Sequence, residues 1–116
     1  QNFRVAFRVL NVGSGPLAAR SDQLCGMRRG KIISCDAFTQ LYRQLAFDIG
    51  FEPQHGFPEA CHADDLEKHF PQGHFDVVYC SNALDHTANP IRGLQSMLRV
   101  ARTGGIVLLW HLRNVH

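Results

Sequence analysis

Short apolar runs set the limits on what this chain can fold into. Four of them have too few polar positions to leave either face of a strand in water: 8–12, 31–35, 75–80 and 105–112. A weaker run at 59–63 predicts one further short strand. Strands that are apolar on both faces belong to parallel sheets that helices cover on each side.

The segments between these runs have the periodicity of helices. Over residues 38–49 an apolar residue returns at every fourth position, and Gly50 follows as a stop. A second helix is predicted to begin at Asn89-Pro90, because Asn caps helices and Pro suits the first turn, and to end at Gly104-Gly105. The expected apolar stripes are Phe38, Leu41, Tyr42, Leu45 and Ile49 in the first helix and, as a buried stripe, Ile91, Leu94, Leu98 and Ala101 in the second.

This alternation predicts an α/β fold of the Rossmann-like, doubly wound kind, with a mostly parallel sheet of about five strands. The chain has 116 residues, of which 45% are hydrophobic, so we expect one domain over 1–116. In such sheets ligands bind at the carboxyl ends of the strands, where the topology switches direction. Functional residues are therefore to be sought at the strand ends.

Composition argues against several classes of function. Basic residues are scattered, the net charge is +2 and no stripe interleaves basic with aromatic residues, so no nucleic-acid partner is expected. The longest apolar stretch, 106–110, is too short to cross a bilayer. Four cysteines without a C-x-x-C pair predict free thiols in a reducing cytoplasm, and the seven histidines show no zinc spacing, so no metal is expected.

A glycine turn follows the first strand in the sequence VLNVGSGPLAA. Gly13 and Gly15 permit a sharp turn and a close approach of a ligand to the backbone, although G-x-G alone is often an ordinary turn. Asp36 ends the second strand roughly 20 residues later, where a carboxylate can accept from ribose hydroxyls or simply cap a helix. The pair favours a nucleoside-containing ligand, and G-x-G-x-x-A leaves a nicotinamide cofactor and S-adenosylmethionine both open.

Further along, the sequence resembles the class I S-adenosylmethionine-dependent methyltransferases, in particular the broad small-molecule type (type 11-like). The resemblance covers nearly the whole chain. Its motifs are VLNVGSGP, IISCDAF, HADDLEKHFPQGHFDVVYCSNALDH and NPIRGLQSMLRVARTGGIVLLWH. It implies S-adenosyl-L-methionine as the cofactor and methyl transfer to a small-molecule acceptor that the sequence does not identify.

The resemblance also implies roles for single residues. The methionine part of the cofactor would face Gly13, Ser14 and Gly15, and the ribose would be held by Asp36, with Ala37 and Phe38 flanking the adenosine. Asp64 would meet the adenine amino group, and the Asp65 backbone would meet a ring nitrogen. Ser81 and Asn82 would close the pocket near the sulfonium. Asn11 stands where the family usually has an acid that supports the loop.

The chemistry leaves the catalytic residues unassigned. Methyl transfer requires alignment and exclusion of water, and a general base only if the acceptor must lose a proton. Asp85, His86 and His111 follow strands at suitable positions for a general base, but hydrogen bonds within the loop before Asn89 are the favoured role of Asp85 and His86.

The family continues beyond the fifth strand, so this chain is expected to be an incomplete piece whose fifth strand lies at a sheet edge and invites self-association. Two alternatives stay open: a cofactor-binding module that does not turn over by itself, and an NAD(P)-dependent oxidoreductase.

Overall fold

The computed structural model describes residues 7–16, 30–54, 56–81 and 89–110. Five parallel strands form one sheet in the order β3-β2-β1-β4-β5. The strands are β1 (Phe7–Val12), β2 (Gly30–Asp36), β3 (Glu59–Ala60), β4 (Phe75–Ser81) and β5 (Ala101–Trp110). The helices are α1 (Thr39–Ile49), α2 (Leu66–His69) and α3 (Pro90–Val100), and a 3-10 turn over Ala63–Asp65 precedes α2.

The strand order confirms the predicted doubly wound, Rossmann-like sheet. From the central β1 the chain moves outward through β2 to β3, and it then returns to the other side of β1 for β4 and β5. This reversal creates a switch point between β1 and β4, where sheets of this kind bind ligands. The carboxyl ends of all five strands lie at the same edge because the strands are parallel.

Apolar side chains are buried on both faces of the central strand. Leu10 and Val12 on one face of β1, Val9 on the other, and Phe75 and Val78 of β4 are almost completely excluded from water. Cys35 and Cys80 lie in the same core as small hydrophobic residues, as their strand positions predict. The fold thus gives the strand ends a rigid base.

Helix α1 ends as predicted, but its apolar stripe does not face the sheet. Gly50 adopts a φ of 73° and donates its N–H to the helix's last carbonyls. Thr39 and Ala46 are the buried residues of the helix, whereas Leu41 is 53% exposed. The Thr39 hydroxyl donates to the Asp36 carbonyl at 3.1 Å, which turns this side of the helix inward. Three residues of the stripe, Tyr42, Leu45 and Ile49, instead line an open cavity of about 400 Å³ beside Pro16.

Helix α3 begins as predicted but buries another face. Asn89 accepts from the Arg92 N–H at 3.1 Å, and Pro90 occupies the first turn. The predicted stripe is only partly right, since Ile91 is 68% and Leu98 57% exposed, whereas Leu94 and Ala101 are half-buried and Ala101, the first residue of β5, packs against the core. The buried residues are Gly93, Ser96, Met97 and Val100. Small side chains at 93 and 96 let the helix approach the 3-10 turn, and the Ser96 hydroxyl accepts from the Leu66 N–H at 2.8 Å.

The glycine pair 104-105 does not end α3, which corrects a second prediction. The helix stops at Val100 and β5 starts directly at Ala101. The register between β4 and β5 shifts over residues 102–105, where Gly104 has a φ of 80°. A Cβ on Gly105 would come within 2.9 Å of two carbonyl oxygens, those of Asp76 and Arg102, so this irregular stretch requires glycine there.

Two further strand boundaries differ from the sequence pattern. The strand predicted over 59–63 is only Glu59–Ala60, because the chain turns into the 3-10 helix at Ala63. The strand predicted over 105–112 begins earlier, and its last two positions lie outside the described residues. Of the helices in the described ranges, none has the length and apolar character needed to cross a membrane.

Candidate functional site

The glycine loop after β1 is hydrogen-bonded to the end of β2. The N–H groups of Gly13 and Ser14 both donate to the Cys35 carbonyl, at 2.8 and 3.1 Å. Gly13 and Gly15 adopt φ values of 69° and 85°, in the left-handed region that favours glycine. The loop therefore bends toward β2 at the edge of the sheet where parallel strands bind ligands.

Asp36 completes this connection with its carboxylate. It is only 6% exposed, its Oδ2 accepts from the Gly15 N–H at 2.9 Å, and its Oδ1 accepts from the Phe38 N–H at 2.9 Å. The glycine loop and the acid that the sequence singles out are thus in direct contact. The position of the carboxylate is fixed from two directions.

Tyr42 is a member of this site that the sequence reasoning missed. Burial raises the pKa of the Tyr42 phenol, and the negative charge of the nearby Asp36 carboxylate raises that pKa further. The sequence does hint at this position, because Tyr42 follows Asp36 by six residues and lies in the first turns of α1.

The residues around Asp36 leave an aromatic ring at the edge of the site. Ala37 is half-buried in the turn after β2, whereas the Phe38 ring is 57% exposed. The Phe38 and Tyr42 rings meet edge to face with centroids 6.5 Å apart. An exposed ring held in this way offers a flat apolar surface to a ligand.

The acids after β3 reach the same edge of the sheet. The Cys61 N–H donates to the Asp36 carbonyl at 3.2 Å, and the 3-10 turn with Asp64 and Asp65 follows. Both acids are half-buried. The Asp65 N–H donates within the turn to the His62 carbonyl at 3.0 Å, and its carboxylate lies 3.4 Å from Lys68 Nζ. The Asp65 amide is therefore already engaged by the chain itself.

The remaining predicted residues are divided between described and undescribed parts of the chain. Asn11 is half-buried in β1, between Ser34 of β2 and Tyr79 of β4. Ser81 is the last residue of β4 and pairs with Trp110 of β5. Asn82, Asp85, His86 and His111 lie outside the described residues.

Two buried thiols lie under the site. The Cys61 thiol is within hydrogen-bonding reach of Cys35, and this contact, followed by burial, raises the pKa of the Cys35 thiol. Both thiols are free, and the raised pKa keeps the Cys35 thiol protonated, which makes it a packing group and a poor nucleophile. Over the described ranges, no three His, Cys, Asp or Glu side chains are grouped so that they could hold a metal ion.

Comparison with known proteins identifies relatives that match most of the chain. The chain is 32% identical over 111 residues to the ubiquinone/menaquinone biosynthesis C-methyltransferase UbiE of Pseudomonas putida, and the match covers 91% of this chain and 42% of that protein. The chain therefore spans less than half the length of this curated relative.

Two solved structures share the fold. A putative S-adenosyl-L-methionine-dependent methyltransferase from Methanococcus maripaludis superposes with a TM-score of 0.63 at 13% identity, covering 93% of this chain and 49% of that one. The trans-methyltransferase CalH, solved in complex with SAH, gives a TM-score of 0.59 at 17% identity, covering 90% and 31%. At these identities the likeness shows the fold alone.

A family model also matches most of the chain. The family model described as a methyltransferase domain matches residues 10–109, which include the glycine loop, Asp36, the 3-10 turn and nearly all of β5. Together with the sheet order and the contact between the loop and Asp36, this match shows that the chain belongs to the methyltransferase domain family.

Proposed function

We propose that residues 1–116 act as one S-adenosyl-L-methionine-binding domain of a methyltransferase whose acceptor is a small molecule. The observation that supports it most is the 2.9 Å hydrogen bond from the Gly15 N–H to Asp36 Oδ2, which joins the loop and the acid at the carboxyl ends of β1 and β2. Because the chain spans 42% of its curated relative, the activity is a proposal for this chain.

The proposed site divides the cofactor among the strand ends. Gly13, Ser14 and Gly15 face the methionine part, and their lack of bulk lets the ligand approach the backbone. Asp36 accepts from a ribose hydroxyl, and Ala37 and the exposed ring of Phe38 flank the adenosine. These groups are already held in place by the chain's own hydrogen bonds, so binding requires little further ordering.

The other side of the cofactor is assigned to the ends of β3 and β4. Asp64 accepts from the adenine amino group, and Asp65 approaches the ring through its backbone, where its N–H would have to be shared with the His62 carbonyl. Ser81 and Asn82 close the pocket near the sulfonium. Asn11 supports the loop from β1 with an uncharged amide.

The bound cofactor supplies a methyl group already activated by a positive sulfur. When the cofactor is bound, an electron pair of the acceptor, which is a π pair where the acceptor atom is carbon, would form the new bond to the methyl carbon as the carbon–sulfur bond breaks and its electrons return to sulfur. The methylated acceptor would then lose a proton to water, leaving S-adenosylhomocysteine. The chain's residues align the two partners and exclude water. The relative named as a quinone-biosynthesis C-methyltransferase makes intermediates of that pathway the first acceptors to assay.

Calorimetry with S-adenosylhomocysteine and with NAD tests the proposal. We expect S-adenosylhomocysteine to bind and NAD to give no measurable heat. Binding of NAD alone would replace the proposal with an oxidoreductase, the alternative that G-x-G-x-x-A leaves open. If this chain binds S-adenosylhomocysteine but transfers no methyl group, whereas a longer version of the protein does, the chain is a cofactor-binding module that does not turn over by itself.

We further propose a cytoplasmic location. Cys35, Cys61 and Cys80 are free thiols in the described part of the chain, and unpaired cysteines are typical of reducing compartments. Localisation of a tagged full-length protein checks this.

A further inference from the structure

The 3-10 turn over Ala63–Asp65 lacks a side-chain cap of its own in the described structure. His62 and Asp65 stand at the capping positions of the turn and of α2, and over the described residues neither side chain forms a capping hydrogen bond. The first N–H groups of a helix have no partner within the helix, and a buried N–H without a partner costs free energy. Leu66 begins α2 and is fully excluded from water, so its N–H requires an acceptor from elsewhere in the fold.

Ser96 of α3 provides that acceptor. Its hydroxyl accepts from the Leu66 N–H at 2.8 Å, and both residues are fully excluded from water. The two residues are 30 positions apart in the chain, so the cap of α2 comes from a neighbouring helix. Asp65 is therefore not needed as the cap.

A second contact joins α3 to the next residue of α2. Arg92 Nη2 lies 2.6 Å from Glu67 Oε2, and α3 packs against the turn along the face that buries Ser96. Helix α3 thus holds the backbone at Leu66 and the side chain at Glu67, directly after the two acids of the turn. The position of those acids depends on α3 as well as on the strand that precedes them.

We propose that Ser96 is a positioning residue for recognition of the cofactor's adenine. By accepting from the Leu66 N–H, it fixes the turn so that Asp64 meets the adenine amino group in a good geometry for a hydrogen bond, which weakens steeply when the angle is poor. Ser96 is buried and acts through the turn. This inference rests on the proposed function, because it deepens the assignment of Asp64, and it gives a ligand-binding role to a residue outside the strand ends.

Calorimetry on wild type and Ser96→Ala tests the inference with two ligands. These are S-adenosylhomocysteine and its analogue in which hydrogen replaces the 6-amino group of adenine. We expect Ser96→Ala to bind S-adenosylhomocysteine about 3- to 10-fold more weakly. The analogue should bind both proteins equally within about twofold, because the contact of Asp64 with the amino group is absent from both complexes.

Val100→Ala is the matched control on α3. It truncates another fully buried side chain, at the end of the helix where the Val100 carbonyl accepts from the His74 N–H at 2.9 Å. The ratio of the two affinities in Val100→Ala should equal that in wild type, since the cap on Leu66 is kept. If Ser96→Ala does not fold, Ser96→Cys fills the same space with a weaker acceptor, and the same comparison applies.

Other results separate the inference from the proposed function. An equal loss for both ligands in Ser96→Ala, or no loss for either, would overturn the positioning role of Ser96. If wild type binds both ligands equally well, Asp64 does not contact the amino group, and the inference fails while cofactor binding stands. If wild type binds neither, the proposed function fails and the inference fails with it.

Amide hydrogen exchange in the free chain tests the cap without any ligand. In Ser96→Ala the Leu66 N–H should exchange about tenfold faster relative to the amides of β4, because its acceptor has been removed. In Val100→Ala the exchange of Leu66 and of the β4 amides should increase together, because only the overall stability changes. An equal increase for Leu66 and β4 in Ser96→Ala would contradict the cap.

Discussion

At the scale of single residues, Asp36 serves the glycine loop and the first turn of α1 with one buried carboxylate. Replacing it by Asn keeps the shape but turns an N–H₂ group toward one of two backbone donors, Gly15 N–H or Phe38 N–H. We expect Asp36→Asn to weaken binding of S-adenosylhomocysteine by about 1–3 kcal/mol, the scale of a hydrogen bond to a charged group.

Calorimetry at neutral pH measures this change, with Asp48→Asn as the matched control on α1. The control should bind as wild type does because Asp48 is hydrogen-bonded only to an exposed amide, that of Gln44, in the described structure. Equal affinity of a folded Asp36→Asn and wild type would remove Asp36 from the ribose site.

The sequence predicted Asp36 and the glycines because their chemistry is tied to position at a strand end. It could not predict that Tyr42 lies near Asp36, since an aromatic residue at helical spacing with leucines satisfies the pattern of an apolar stripe. The orientation of α1, in which the Thr39 hydroxyl donates to the Asp36 carbonyl, brings the Tyr42 phenol close enough for the Asp36 charge to raise its pKa.

At the scale of elements, an ion pair connects α2 to α3. Arg92 Nη2 lies 2.6 Å from Glu67 Oε2, and Arg99 approaches the same oxygen at 3.9 Å. The Arg92 hydrogen bond, with a further one from Ser96, lowers the pKa of Glu67 from its usual 4.5 to about 2. A carboxyl with a lowered pKa in the folded state stabilises the fold above its unfolded pKa and loses that contribution as the pH falls.

We therefore expect stability to decrease as the pH falls from about 4.5 to about 2, in part because Glu67 becomes protonated. Glu67→Gln should lower the melting temperature at pH 7 and should show a weaker dependence on pH in that window. Thermal unfolding followed by circular dichroism measures both effects. Glu52→Gln, at an exposed position, is the control, and an identical acid profile for Glu67→Gln and wild type would contradict the assignment.

The irregular stretch between β4 and β5 gives a second prediction at this scale. Gly105→Ala places a Cβ within 2.9 Å of the carbonyl oxygens of Arg102 and Asp76, both parts of the backbone. Overpacking of this kind costs about 1–3 kcal/mol, which urea denaturation can measure. Thr103→Ala, an exposed change in the same stretch, should unfold as wild type does.

Strand positions were predictable because apolar runs on both faces have few alternatives to a covered parallel sheet. The buried face of α3 was not, because it combines the apolar Met97 and Val100 with small residues that contribute little to a hydropathy pattern. Gly93 and Ser96 face the 3-10 turn and α2, while the larger Ile91 and Leu98 stay exposed. The end of α3 was also mispredicted, because the glycine pair 104-105 lies where the register between β4 and β5 shifts and does not terminate the helix.

At the scale of the whole molecule, β5 is the edge of the five-stranded sheet and carries exposed apolar side chains. Ile106 is 53% exposed, and Leu108 and Leu109 are each 49% exposed. An exposed apolar edge strand invites pairing with another chain. We propose that the 116-residue chain associates with itself through β5 in a concentration-dependent way.

Sedimentation velocity over a range of concentrations checks this proposal. Leu108→Lys places a charge on the edge strand and should shift the chain toward the monomer, as charged residues protect natural sheet edges. Ile91→Lys, an equally apolar exposed position on α3, is the control. Association that persists unchanged in Leu108→Lys would locate the contact elsewhere.

The carbonyl of Cys35 and the carboxylate of Asp36 receive all three N–H groups of the turn at 13–15. The conformation of that turn therefore depends on residues 35 and 36 of β2, and the two segments act as one structural unit. A chimera that takes the turn from a distant relative without that relative's residues at 35 and 36 would keep the glycines but would change the groups that accept their hydrogen bonds. Engineering of cofactor preference in this scaffold should transfer both segments together.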